Sequence, residues 1–455
     1  MAVMIAREHV TQDQAVRIKK ALTIYPKKAP TFKQESYYKS KEDEGVEAFG
    51  LESDDIGTWV RLPFTWGQKI YGLNNDHRNH KAIKINMIGK PRDDLQASQL
   101  NTAIDDLNTT RTAIFGLRTG FGKTALSLFT ACKVGLLTCV LVPAPKDLAD
   151  QWIEAAIKFT SARVASVNVD INKSLPDDVD IICCYMERTK KIPKKIRDAV
   201  GLLIIDESHL FCNTTGINAI LDFTPKFTIA CSATFVKNAT QMHHVMETVV
   251  GEKIIKADFD VKFKVTKVST SIKGERVKQP NKPGIDWHRL NKSFLYNSER
   301  NNMIVDLGMS LSDDGKVLIL TTEVDHVKLL YDNFVKEISR LKRDTKVDYI
   351  AAKKSQYEDS NILIGNVQKC GTGFDEQGRC KTWNGVRIDK VVIVGSFKDQ
   401  DRLSQAIGRG FRAESPHVYH FVDNDPTISS HWRAAKKLYD ELGAEIDIQS
   451  FAKNT

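Results

Sequence analysis

Three groups of residues in this chain have the types and spacing that phosphate chemistry needs. The first is Gly120-Phe121-Gly122-Lys123-Thr124, which follows the apolar run 112–115 and opens a helical stretch at 125–132. Glycines at a helix start let backbone N–H groups close on phosphate oxygens, and the helix dipole favours the negative charge. In that setting Lys123 reaches the β- and γ-phosphates and Thr124 ligates a magnesium ion, so ATP and Mg2+ are the expected cofactors.

The second group is Asp206-Glu207-Ser208-His209, directly after the apolar run 203–205. The carboxyl ends of buried parallel strands are where ligands bind in open α/β sheets. Asp206 is expected to hold Mg2+ through water, and Glu207 to orient or deprotonate an attacking water. One carboxylate does not easily serve both tasks, so an adjacent pair makes chemical sense. A solvated turn is the other reading of two acids after a strand, and the phosphate loop upstream weighs against it.

The third group is Gln405-Ala-Ile-Gly408-Arg409-Gly-Phe-Arg412, on a helix expected at 400–411. Arg409 and Arg412 stand three apart and share a face. An arginine delivered across a closing cleft raises phosphoryl-transfer rates ~10³–10⁵-fold. A solvated basic helix face is the alternative, and Gln405, at its offset ahead of Gly408, favours the catalytic reading.

These groups need a frame. Runs at 112–115, 140–142, 181–184, 202–205 and 228–231 are short, apolar and bounded by polar or turn residues, with helical stretches such as 146–159 between them. Such runs read as strands buried on both faces of a parallel sheet. A second set follows at 317–320, 362–364, 391–394 and 418–421, with a last helix at 430–441. The expected organisation is α/β. It comprises an N-terminal accessory domain over 1–90, a first lobe over 91–252 and a strand-rich connector over 253–290. A second lobe over 291–443 and a tail over 444–455 complete it.

The 455 residues carry 66 Lys and Arg against 57 Asp and Glu, a net charge of +9 that suits a polyanionic partner without requiring one. No apolar run reaches the roughly eighteen residues of a membrane span. The start of the chain lacks the order of a signal peptide. Eight cysteines form no C-x-x-C pair, which favours buried, reduced thiols over a zinc site.

Taken in order with Ser232-Ala-Thr234, these elements resemble helicase superfamily 2 in its DExH form, over about residues 92–443. The resemblance implies two tandem RecA-like parallel-sheet lobes beside a small N-terminal α+β domain. It implies that Arg92-Asp-Asp-Leu-Gln96 reads adenine, with Gln96 on the base edge. Thr119, Gly120, Phe121, Gly122, Gly373 and Asp375 then join the nucleotide contacts. Pro143 and Lys146 in 140–152, with Tyr185, Thr321, Thr322 and Asn366, fall on the nucleic-acid track, although many relatives have threonine where Asn366 stands. Ser232 and Thr234 match the element that couples hydrolysis to movement.

Leu117, where the longer phosphate-loop pattern has glycine, matches the XPB/UvsW-like group, and Asn297-Ser-Glu-Arg300-Asn301 fits that group too. Residues 49–71 resemble the N-terminal region of helicases of large DNA viruses, the poxvirus transcript-release helicase among them. That implies a 3′–5′ DNA helicase of viral transcription, replication or repair, with RNA also open as its track. It implies a monomer meeting transcription, replication or repair proteins, with no membrane association. The place implied is the cytoplasm or nucleus of an infected cell, with packaging in the virion open. Two other readings stand beside it: the motor subunit of a restriction-type nuclease, for which Asp260-Val-Lys262 is slender support, and a nucleotide-gated scaffold that hydrolyses little.

Overall fold

The computed structural model describes residues 2–25, 45–117, 120–143, 146–167, 175–176, 178–232, 242–256, 262–279, 284–352, 354–371, 374, 376–397, 400–410, 413 and 415–450. The chain forms two compact units, Met1–Ala257 and Asp258–Thr455.

The first unit is built on a seven-stranded sheet. Its order is Ile254–Ile255, Thr112–Phe115, Phe227–Cys231, Leu202–Ile205, Thr138–Val142, Ile181–Tyr185 and Val164–Ser166. The pairings are parallel throughout. The central strands are fully buried, which is why they read as unbroken apolar runs and not as alternation. Helix starts follow capping rules. Asp93 caps Asp94–Thr110 by accepting from Gln96 N at 2.7 Å, and Asn213 caps Thr214–Leu221 through Gly216 N.

Three strands form an antiparallel sheet of their own, with Thr58–Pro63 between Ala2–Ala6 and Gly50–Ser53. It is stitched to the lobe. Ala2 N donates to Phe223 O at 2.8 Å, and Asn75 Nδ2 donates to both Ala2 O and Pro225 O. Arg61 pairs with the buried Asp222 at 2.7 Å. Val3, Leu62 and Phe64 share one apolar core with Ile204 and Ile229. The stretch read as an accessory domain is thus packed as a layer of the first unit.

The second unit has its own seven-stranded parallel sheet. The order is Val347–Ile350, Ile362–Asn366, Lys316–Thr321, Ile388–Ile393, His417–Val422, Lys264–Ser269 and Glu445–Ser450. The alternating stretch read as part of a connector supplies a strand inside this sheet, with Val265 opposite both Val418 and Ile446. Residues read as a tail supply the strand beside it. Apolar patterning shows which face of a strand is buried but not which strands adjoin it, so these memberships are invisible in the sequence. Helices Ser298–Leu311 and Val324–Leu341 pack on the sheet, and Asn297 caps the first by accepting from Arg300 N at 2.9 Å.

Candidate functional site

The phosphate loop lies between strand Thr112–Phe115 and helix Lys123–Val134. Gly120 and Gly122 take φ of 82° and 98°, a left-handed geometry that builds anion-binding concavities from backbone N–H groups. A Cβ on Gly122 would come within 2.6 Å of Gln96 Nε2. Lys123 Nζ donates to Leu117 O at 2.7 Å and closes the loop end to end. Gln96 is buried behind it. Its Nε2 donates to Phe121 O at 2.9 Å, and its Oε1 accepts from Arg92 N at 2.7 Å. One amide therefore holds the loop to the segment that precedes the helix. Arg92 itself is exposed, with its guanidinium on Asp93 at 2.9 Å. Phe121 is buried and Thr124 half-buried, while Thr119 lies outside the described residues.

Strand order puts the acids near this loop. Phe227–Cys231 runs between the loop's strand and Leu202–Ile205, so Ser232 and Asp206 end neighbouring strands. Asp206 is buried and accepts from Trp152 Nε1 at 2.7 Å. Burial first, and the adjacent Glu207 carboxylate second, raise its pKa to about 6, against the Trp152 hydrogen bond and the charge of Lys123. The carboxylate oxygens of Asp206 and the hydroxyl of Thr124 are hard donors of the kind that fit a divalent cation. Glu207 sits at φ 46°, a strained conformation for a non-glycine residue, at the turn into the short helix Ser208–Phe211. His209 Nδ1 lies 3.6 Å from Glu207 Oε2 and 3.0 Å from Ser232 Oγ. Thr234 is outside the described residues.

Trp152 and His209 were within the quoted motifs but carried no role there. The signal for Trp152 was available: a buried indole N–H requires an acceptor. Close by in the chain, His243, His244 and Glu247 bring their ligand atoms within 4.8 Å of one another. Glu247 lies within ion-pair distance of both imidazoles, which accounts for the grouping without an ion.

In the second unit Arg409 is buried and donates through Nη1 to Phe374 O at 2.8 Å. The structure thus brings together two segments that the pattern assigns to the nucleotide. Gln405 is buried on the preceding helix, Gln400–Ile407. Gly373, Asp375 and Arg412 lie outside the described residues.

Of the track residues in the first unit, Pro143 is buried and Tyr185 half-buried, each at the carboxyl end of a strand. Lys146 opens helix Lys146–Phe159, and its side chain is outside the description. In the second unit two side chains turn inward. Asn366 accepts from Lys369 N at 3.2 Å and caps the next helix. Thr321 is fully buried, with its hydroxyl 2.6 Å from His326 Nδ1. Asn301 Nδ2 donates to Leu295 O, so its Oδ1 must accept from His326 Nε2 at 3.0 Å. That settles the tautomer: Nε2 carries the proton and Thr321 donates to Nδ1. Burial first, and Arg300 second, lower the pKa of His326 to about 3. Thr322, half-buried, is the threonine left nearer the surface.

Residues 84–237 match the family described as type III restriction enzyme, res subunit. A protein named as a helicase in Invertebrate iridescent virus 6 is 27% identical over 414 residues, covering 86% of this chain and 90% of its own length. The transcript termination protein of Myxoma virus (strain Lausanne) is 24% identical over 339 residues, covering 69% and 67%. Among solved structures, a fragment named as an HsdR subunit of a type I restriction enzyme from Vibrio vulnificus YJ016 aligns with a TM-score of 0.54 at 15% identity, over 80% of this chain and 70% of that one. Dbp5 of S. cerevisiae, solved with RNA and ADP BeF3, aligns at 0.52 and 13% identity, over 77% and 89%. At these identities the structural likeness is one of fold, and that fold is a pair of RecA-like lobes. With the motifs in their family order and relatives of this kind spanning most of the chain, the protein is similar to the helicases of superfamily 2, those of large DNA viruses among them.

Proposed function

We propose that this chain is an ATP-driven motor that moves 3′ to 5′ along DNA and separates strands during viral transcription, replication or repair. The observation that carries the reading is that the glycine loop, Lys123 and the buried Asp206 follow strands only one strand apart in one sheet, with the charge of Lys123 felt at Asp206. Lys123 and the loop backbone hold the phosphates, and Thr124 and Asp206 hold the magnesium ion. When bound, Mg2+ neutralises charge on the phosphate oxygens. Glu207 takes the proton of the attacking water, and its backbone turn aims the carboxylate. Arg409 and Arg412 act on the charge that develops in the transition state. Pro143, Lys146, Tyr185 and Thr322 line the track, where contact with phosphates makes binding indifferent to sequence.

The relatives named as a helicase and as a transcript termination protein support a viral setting. The test is ATP turnover by the full chain with single-stranded DNA, duplex DNA, forked DNA and RNA added separately. Stimulation by DNA above RNA is expected. No stimulation by any of them overturns the motor reading. The restriction-subunit match over 84–237 keeps a nuclease motor as a second reading, which DNA cleavage in the same reactions would favour.

A further inference from the structure

The turn joining Gly50–Ser53 to Thr58–Pro63 carries an apolar side chain at its tip. Ile56 is 86% exposed there. The tip is held in shape, because Asp54 Oδ1 accepts from Ile56 N at 3.0 Å, Gly57 N at 3.1 Å and Trp59 Nε1 at 3.2 Å. One exposed isoleucine on a surface needs no explanation. An isoleucine held on a tied turn beside a row of cations does.

That row is residues 188–197, which hold six cations and no acid: Arg188, Lys190, Lys191, Lys194, Lys195 and Arg197. Lys194 Nζ lies 3.9 Å from Asp54 Oδ2 at the turn. The buried Asp222 carboxylate accepts from Thr189 Oγ1, at the start of the basic segment, and from Arg61 Nη1, from the hairpin, each at 2.7 Å. Hairpin and basic segment are therefore fixed to one anchor within the first unit. Lys190, Lys191 and Lys195 are exposed and make no ion pair among the described residues. The segment begins three residues after Tyr185, which ends strand Ile181–Tyr185.

We infer that this hairpin tip and basic segment form the surface that meets paired nucleic acid ahead of the motor. Lys190, Lys191 and Lys195 grip the phosphodiester backbone, and Ile56 abuts the terminal base pair at the junction. The inference rests on the proposed function and adds its duplex-facing residues. Lysines neutralise phosphates, and aliphatic side chains wedge against or between base pairs. A duplex end offers both partners side by side, a charged backbone flanking an apolar stacked face. This is the complementarity that favours nucleic acid over a protein surface.

The test uses the full chain, a fluorescent forked duplex with a 3′ single-stranded tail, and the tail strand alone, each as DNA and as RNA. Binding is read by anisotropy across a salt series, and strand separation with ATP. Replacing Lys190, Lys191 and Lys195 together by alanine is expected to weaken fork binding at least tenfold. The slope of log affinity against log salt should fall by about 2–3, and tail affinity should change less than twofold. Ile56→Ser is expected to leave fork affinity and tail-stimulated ATP turnover within twofold while cutting strand separation several-fold. Fork binding and unwinding unchanged in both variants, beside a parent that binds and unwinds, overturns this surface and leaves the motor reading intact, with the patch then a protein-docking site. A parent whose turnover no nucleic acid stimulates overturns the motor reading and this inference together.

Discussion

His209 Nδ1 and Ser232 Oγ lie 3.0 Å apart, and the same imidazole stands 3.6 Å from the Glu207 carboxylate. A residue on the acidic turn therefore touches the residue that the superfamily pattern assigns to coupling. Strand Phe227–Cys231 makes the contact available by running beside Leu202–Ile205. Ser232→Ala removes the hydroxyl and leaves Glu207 in place. ATP binding and basal turnover should stay within a few-fold, while strand separation per ATP consumed falls by about tenfold. Turnover that falls in step with unwinding would place Ser232 in hydrolysis itself.

Lys123 and Glu207 should fail differently. Lys123→Ala removes the main cation facing the phosphates, so hydrolysis is lost together with much of ATP affinity. Glu207→Gln keeps the shape and removes the base. ATP should still bind, measured by a fluorescent analogue, while turnover drops by about 10²–10⁴. Lost ATP binding together with an altered magnesium dependence would exchange the roles of Glu207 and Asp206.

Asp206 should trade stability for function. Its pKa lies near 6 in the fold, raised by burial and by Glu207 from an ordinary value near 3.8. Between those values the folded state holds a proton that the unfolded chain has released. Stability therefore falls as pH rises from about 4 to about 6, and the full penalty persists above that. Asp206→Asn keeps an acceptor for Trp152 and removes the charge. At pH 7.5 and without nucleotide, the variant should be more stable by on the order of 2 kcal/mol, and by nothing at pH 4. Denaturant melts at the two pH values check this, and turnover should be abolished.

Two neutral histidines make the second unit sensitive to acid. His326 is bonded to Thr321 and Asn301, and His420 to the Tyr439 hydroxyl at 2.8 Å. Burial pushes both pKa values down to about 3. The unfolded chain takes up protons at these side chains near pH 6.5 and the fold does not. Their stability is whole above 6.5 and is lost as pH falls toward 3. Between pH 7.5 and 5.5 the two together cost about 2–3 kcal/mol. His420→Gln should halve that dependence in thermal melts.

Arg300 is a structural ion in the same unit. Its Nε lies 2.9 Å from both Asp423 carboxylate oxygens, and its Nη2 donates to Val394 O at 2.7 Å. Both partners of the pair are buried. Asp423→Ala strands the guanidinium and should cost about 3–5 kcal/mol. Chemical denaturation measures it, and a loss under about 1 kcal/mol would mean that water reaches the arginine.

The sequence by itself determined the class of fold, because buried parallel strands, glycine turns and helix caps are local patterns. Runs such as 202–205 and 317–320 read directly as strands of two parallel sheets, and the loop at 120–124 read as a phosphate loop by its spacing. Tertiary structure alone decided adjacency. Strand order follows from crossover connections, which no periodicity records. Hence the place of Phe227–Cys231 between loop and acids, and of Lys264–Ser269 within the second sheet, could not be read beforehand. Side-chain direction was likewise decided late. Thr321 and Asn366 stand at strand ends where a track residue is expected, yet a buried histidine and a bare helix N-terminus claim their polar atoms. A buried polar group must find a partner, and which partner stands within reach is set only when the chain has packed.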